Sequence, residues 1–396
     1  MAARFARSVG QGALVVGFTL YLHALGWVAS DIGLLLSAAL LFGVLLTVLV
    51  GPLSDRVGRK SFLLAYEGVS LLSALLALCS GASWVVTIGA VMGGFGRGAN
   101  GAAGPFGPLE QAWLAQNLPA SERSRVFSLN SVLGFAGMAV GAVLAGLPEL
   151  WSHALPGALA FRPLFILPLL GSIVGLVMIG RAPDVKTARP EGQPRGAAPA
   201  DGGEGTHRDE NRHLVRLAFA NMLNGFGIGM VAPLMAYWFL RRFGHGPGAI
   251  GLALSAGFVL AAFGGLIAAK VSGRLGVVKT VVVMRGVGLV LMVSTPFMPV
   301  FGLAAALWAI RAAFNQGTIG VRQALTMGLT RQHRQGLAAT VNNVSIQVPR
   351  AIGPAIAGVL LHHGWLTAPF LVAACFQLGY LVVYQRFFGG LQNADV

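Results

Sequence analysis

The chain has 396 residues, 55% hydrophobic and only 10% charged, with a mean hydropathy of +0.73. Soluble domains carry roughly 25% charged residues, so an ordinary soluble fold is excluded, and the apolar content excludes disorder. The formal charge of +15 sits in short bursts between long apolar runs, which argues against a basic nucleic-acid face and for loops that fix a membrane topology.

A bilayer-crossing helix needs about 20 mostly apolar residues. Twelve such runs follow one another: 9–29, 31–52, 61–82, 84–107, 124–147, 160–181, 214–240, 248–270, 280–300, 302–326, 337–361 and 365–388. Arg4 and Arg7 precede the first run, which has no convincing cleavage site and is expected to be a retained helix. It holds His23, either a proton carrier that titrates near neutral pH or a hydrogen-bonded packing residue. The fourth run contains Arg97 and Asn100, the tenth Arg311, Asn315 and Gln316, and the eleventh Gln347 and Arg350. The seventh opens on Asn221 and Asn224, followed by Gly225, Gly227 and Gly229, a pattern expected to interrupt the helix and expose backbone dipoles to a solute. Residues 182–212 are rich in Pro, Gly and charge and read as a flexible cytoplasmic linker between an N-terminal half, 1–181, and a C-terminal half, 213–396.

Orientation follows from the basic residues. With the N-terminus cytoplasmic, 20 of the 28 Lys and Arg fall in cytoplasmic segments and only Arg162, Arg241 and Arg242 on the other side. Both termini are therefore expected to be cytoplasmic.

The halves repeat each other. At an offset of 218, Ile32-Gly33-Leu34 matches Ile250-Gly251-Leu252, and Ser54, Arg56 and Gly58 match Ser272, Arg274 and Gly276. At 212, Asn130 matches Asn342, and Gly141 and Gly146 match Gly353 and Gly358. Two six-helix halves in parallel repeat point to an all-α secondary transporter, its solute site near the midplane between them.

The loop Gly51-Pro-Leu-Ser-Asp55-Arg56-Val-Gly58-Arg59-Lys60 resembles the G-x-L-a-D-R-x-G-R-K loop between the second and third helices of the major facilitator superfamily. The resemblance covers the whole chain: spans, half repeat, linker and loop. It implies a cytoplasmic latch in which Asp55 opposes the N-terminus of the eleventh helix and Arg59 pairs with Glu110. Arg97-Gly-Ala-Asn100-Gly101 is similar to the R-x-x-Q-G motif that the superfamily associates with proton coupling, with Asn in place of Gln. The resemblance also implies that the fourth and tenth helices, with the eleventh, line a central cavity, which would receive Arg97, Asn100, Arg311, Asn315 and Arg350, joined by Asn224 and His23.

Ionisable groups at membrane depth cost several kcal/mol, so each needs a reason. Glu67 and Arg285 are repeat equivalents on peripheral helices, within about two turns of the cytoplasmic end, from where long side chains can snorkel; structural pairing near the interface is expected of them rather than transport chemistry. Of 13 acids, only Glu67 and Glu110 reach membrane depth, against three mid-membrane arginines. That balance leans to an organic anion or a neutral compound. Gly353-Pro354-Ala-Ile-Ala-Gly358 resembles a bend that drug exporters carry on the fifth helix, but here it is on the eleventh. Gly96-x-Gly98-x-x-Gly101 lies in an apolar span with no strand before it and reads as helix packing. No nucleophile–base set, cofactor motif or metal cluster is visible, so the chain is not expected to be an enzyme. The expectation is proton-coupled transport by alternating access, the partners being a small solute, protons and the lipid bilayer of the cell membrane. Nucleic acid is not a partner, and a monomer suffices. The alternative is proton-driven efflux of drugs or amphiphiles.

Overall fold

The computed structural model describes residues 1–97, 106–117, 120–182, 204–328 and 335–390. The N-terminal half contains α1 (Ala2–Ala24), α2 (Ala29–Val57), α3 (Arg59–Cys79), α4 (Ser83–Gly93), α5 (Phe106–Asn117), α6 (Ala120–Leu144), the single turn α7 (Pro148–Trp151) and α8 (Ile166–Arg181). The C-terminal half contains α9 (Glu204–Val231), α10 (Met235–Phe243), α11 (Pro247–Leu275), α12 (Val277–Ser294), α13 (Phe301–Gly328), α14 (Gln335–His362) and α15 (Ala368–Phe388). Short 3-10 stretches lead into α8 and join α9 to α10. With α4–α5 and α9–α10 each read as one crossing, six spans stand in each half.

Among the described residues, nine helical stretches are long and apolar enough to cross a membrane. The other three expected spans, α1, α4–α5 and α13, carry the polar cargo or the break. In α1, Arg4 and Arg7 lie in the helix ahead of the apolar run and Gln11 within it; in α13, Arg311, Asn315, Gln316 and Arg322 interrupt the run. Two expectations about the seventh span are corrected. Residues 204–212, assigned to the linker, already belong to α9, while 183–203 lie outside the described residues. The Asn224–Gly229 segment is continuous helix, and the break comes later, at Ala232–Leu234. Its glycines serve close packing: side chains at Gly225 and Gly229 would strike the α14 backbone, and one at Gly227 would strike Gln377.

The packing repeats between halves. In the first half α1 packs on α6 and α8, α3 on α4 and α8, and α2 on α4. In the second, α9 packs on α14 and α15, α12 on α13 and α15, and α11 on α13. Gly141 lets α6 approach the Val9 carbonyl of α1, and its repeat mate Gly353 lets α14 approach Gly229 of α9. Across the halves, α2 meets α14 and α6 meets α11.

The termini and the α2–α3 and α11–α12 turns mark one face, the N-terminal face. At the opposite, far face a continuous apolar core runs through both halves, from Leu14, Ile32, Ala142 and Phe165 to Met230, Trp238, Ile250 and Leu361. At the N-terminal face the core is divided. Leu63, Tyr66, Phe106, Leu109 and Ile179 form a cluster within the first half, and Leu217, Val281, Leu325, Tyr380 and Tyr384 form one within the second. Among the described residues, the core that joins the two halves lies at the far face.

Candidate functional site

Two polar clusters lie inside the halves, one in each, at related positions. In the first half, Arg7 of α1 reaches Glu67 of α3, with Nη1 donating to Oε1 at 2.8 Å. The two side chains are only 4% and 1% exposed. The Arg7 guanidinium also lies 3.5 Å from the ring centre of Phe106 and 5.0 Å from that of Tyr66, a cation–π geometry. One turn earlier Arg4 donates to Glu110 of α5 at 2.9 Å, and Asn130 of α6 donates to the same oxygen at 3.3 Å. Both carboxylates therefore stand next to arginines of α1.

In the second half Arg285, the repeat equivalent of Glu67, is 4% exposed. It donates to Asn224 Oδ1 at 2.5 Å, to Thr318 Oγ1 at 3.2 Å and to Gln377 Oε1 at 3.4 Å, and lies 5.3 Å from the Tyr380 ring centre. These partners are neutral, and Arg311 and Arg322 are close enough to repel it. Gln377 in turn donates to the Asn224 backbone carbonyl at 3.2 Å. Hence Asn224 and Gln377 are locked together across α9 and α15. The acid balance of this half is extreme. No Asp or Glu occurs between Glu210 and Asp395, a stretch holding 14 Lys and Arg.

The expected cavity residues divide by exposure. Arg350 and Asn315 are half-buried. The Arg350 guanidinium bonds only weakly to Gln347, at 3.5 Å, and Asn315 sits against Gly288 of α12. Arg311 is buried, 4.6 Å from the Trp308 ring centre, with Nη2 on Met292 Sδ at 3.4 Å. Asn224 is fully enclosed. Arg97 is buried and turns back on α4, donating to the Val91 carbonyl at 2.5 Å. Asn100 lies outside the described residues. His23 meets Tyr237 edge to face, ring centres 5.4 Å apart, at the far-face junction of the halves.

The loop motif is partly visible. Gly58, between α2 and α3, has φ +110°, and Gly276, its repeat mate, has φ +78°. Both turns need a residue without a Cβ. Arg59 is half-buried at the start of α3. Lys60 donates to the carbonyls of Gly180 and Ala182 at 3.0 and 2.6 Å, capping the C-terminus of α8. The side chains of Asp55 and Arg56, and the surroundings of Gly51, lie outside the described residues. Glu110, expected opposite Arg59, is engaged by Arg4 and Asn130.

Of the expectation for Glu67 and Arg285, the pairing is seen for Glu67, with Arg7, but the place is corrected: both are buried and point inward, Glu67 to α1 and Arg285 to α9. Sequence reading missed Arg7 and Arg4, taken as topology charges, and Gln377. The far-face junction was missed as well. Ser37 Oγ of α2 accepts from the Ala355 amide of α14 at 2.8 Å, and Glu149 of α7 accepts from the Gly248 amide at the start of α11 at 2.9 Å.

Comparison with known proteins supports this architecture. The profile of the Major Facilitator Superfamily matches residues 1–212 and 217–391. The quinolone resistance protein NorA of Staphylococcus aureus is 23% identical over 391 residues, covering 95% of this chain and 92% of that protein. The gentisate transporter of Corynebacterium glutamicum is 24% identical over 326 residues, covering 79% and 69%. The matches to two uncharacterised relatives, from yeast and Escherichia coli, span only 32% and 39% of those proteins. Among solved structures, nucleoside transporter NupG aligns with TM-score 0.73 at 13% identity, over 98% of this chain and 97% of that one. A bacterial homologue of the lysosomal transporter Spinster, in an inward-facing occupied conformation, aligns with TM-score 0.72 at 12% identity, over 100% and 97%.

Proposed function

The chain belongs to the Major Facilitator Superfamily, and from that premise we propose that it moves a small organic anion across the cell membrane by alternating access, coupled to protons. The observation that carries the anion reading is the charge of the second half. Arg285, Arg311 and Arg350 are held by neutral groups, in a half whose membrane portion contains no Asp or Glu. Buried cations without counter-charges are costly, and a carboxylate solute entering between the halves lowers that cost. Arg350 and Asn315, half-buried, are the first contacts. The first half is balanced by comparison, since Glu67 and Glu110 pair with Arg7 and Arg4.

The basic-residue count supports a cytoplasmic N-terminal face. On that reading the far face, where α2 meets α14 and α6 meets α11, is the side away from the cytoplasm. Asp55, Arg59 and their loop would close the cytoplasmic side in the outward-open state. The similarity to NorA favours a second reading, proton-driven efflux of drugs. A lipophilic cation needs a carboxylate to attract it, and both membrane carboxylates are already met by arginines.

The test is thermal stabilisation of the purified protein by aromatic and aliphatic carboxylates, neutral sugars and lipophilic cations. A ligand at a hundred times its Kd stabilises by about 2.7 kcal/mol. Stabilisation by carboxylates that disappears in Arg350→Ala supports the anion reading, and stabilisation by lipophilic cations alone overturns it.

A further inference from the structure

We propose that Glu67, on the third crossing and inside the N-terminal half, is the residue that takes up the coupling proton, and that the proton lands on Oε2. This rests on the proton-coupled reading above and names the group responsible. The geometry is asymmetric about the carboxylate. Oε1 accepts from Arg7 at 2.8 Å, whereas Oε2 has no well-aligned donor, the Ser172 hydroxyl standing nearby. A buried carboxylate oxygen without a well-aligned donor is costly as an anion. Protonation at Oε2 removes that cost and leaves Oε1 still able to accept from Arg7. The step is Glu67-COO⁻ plus H⁺ giving Glu67-COOH, with no other bond made or broken.

Room for the proton's carrier is present. A pocket of about 10 Å³, close to the space one water needs, is lined by Arg7, Gln11, Ser70 and Ser172 among others. Gln11 Oε1 and Ser70 Oγ make no hydrogen bond either, so a water there meets several polar partners. An organic solute is far too large for it, which separates this place from the solute site. Gly175 of α8 keeps the site open, since a Cβ there would stand 2.6 Å from Oε1.

The charged and titratable groups around Glu67 come from every packed element. They are Arg4 and Arg7 of α1, Arg97 beyond α4, Glu110 of α5 and Tyr66 of α3 itself; α8 offers the Ser172 hydroxyl, close to the carboxylate. On α2, Asp31 is at the far end, and Arg162, ahead of α8, lies against Gly81 beyond the end of α3. Protonation therefore leaves Arg7 facing an uncharged acid, next to the Arg4–Glu110 pair on the same helix. The Arg7–Glu67 and Arg4–Glu110 contacts, which tie α1 to α3 and α5, loosen together towards the N-terminal face. Arg285 at the repeat-equivalent position cannot bind a proton in this way, so the first half carries the coupling and the second the solute.

Two readouts on the full-length protein in lipid test the assignment, and neither needs the solute. Infrared difference spectroscopy between neutral and acid pH should show a buried carboxylic-acid carbonyl band that is lost in Glu67→Gln, displaced in Glu67→Asp and retained in Glu110→Gln. Spin labels at Gln111→Cys and Gln323→Cys, exposed repeat mates at the N-terminal face, with Cys79 and Cys375 replaced by Ser, report the separation of the halves. That separation should shift with pH in the wild type and stop doing so in Glu67→Gln. If the wild-type separation responds to pH and Glu67→Gln responds equally, coupling stands and the assignment to Glu67 falls. If neither the band nor the separation of the wild type responds to pH, the proton-coupled reading falls with it.

Discussion

Removing the Glu149 carboxylate should open the far face. This side chain reaches from α7 in the first half to the Gly248 amide in the first turn of α11 in the second, at 2.9 Å. It therefore caps the positive end of a helix across the junction between the halves. Any state in which the far face opens must separate the two groups. A charge at an exposed helix N-terminus contributes about 0.3–1 kcal/mol. A hydrogen bond to a charged group adds to that when buried, but Glu149 is exposed, so about 1 kcal/mol is the working figure, again at the scale of the helix-end effect. Since 1.4 kcal/mol is tenfold in an equilibrium constant, Glu149→Ala should raise the far-face-open population about fivefold. The assay is the maleimide labelling rate of Ala145→Cys, fully buried beside this junction, in a background without Cys79 and Cys375. Glu149→Gln keeps an acceptor but loses the charge, and should fall between wild type and Ala. An unchanged or slower rate in Glu149→Ala would refute the reasoning.

Other substitutions probe the interior. Gly141→Val and Gly353→Val put a branched side chain into the Val9 and Gly229 backbones and should cost stability at or beyond the top of the usual overpacking range of about 1–3 kcal/mol. Gly286→Ala, with open space around it, should leave the Tm near wild type, and equal effects at the three sites would contradict the packing described. Asn224→Asp supplies Arg285 with the counter-charge it lacks, making the second half resemble the Arg7–Glu67 arrangement; Tm should rise and carboxylate affinity fall, and a lowered Tm with unchanged affinity would count against the charge argument. Lys60→Met frees the Gly180 and Ala182 carbonyls and should cost about 0.5–1.5 kcal/mol in thermal unfolding.

The positions of most spans were legible because about 20 apolar residues have few alternatives. The repeat was legible for a related reason: Gly141 and Gly353 meet the same steric demand at equivalent crossings, so the same residue recurs. Burial direction was not legible for single charges. Arg7 at the head of an apolar run looks like any topology charge, and nothing in its neighbours announces that Glu67, 60 residues on, lies 2.8 Å away. Glu67 itself lies close enough to a helix end to snorkel, and only the packing of α3 against α4 and α8, with Arg7 of α1 reaching it, turns it inward. The glycines after Asn224 read as a break because Gly is a poor helix former, but close approach to α14 and α15 outweighs propensity there. The acid-free second half was present in the composition all along, and Arg285 gives it a location.

The central claim is that this positively charged half carries a small organic anion. The direct measurement is uptake into proteoliposomes of the purified protein under an imposed proton gradient, comparing a labelled aromatic carboxylate, a dicarboxylate, a neutral sugar and a lipophilic cation. The account predicts that a carboxylate is moved and that Arg350→Ala abolishes its movement while the protein stays folded. Movement of the cation alone, indifferent to Arg350→Ala, would contradict it.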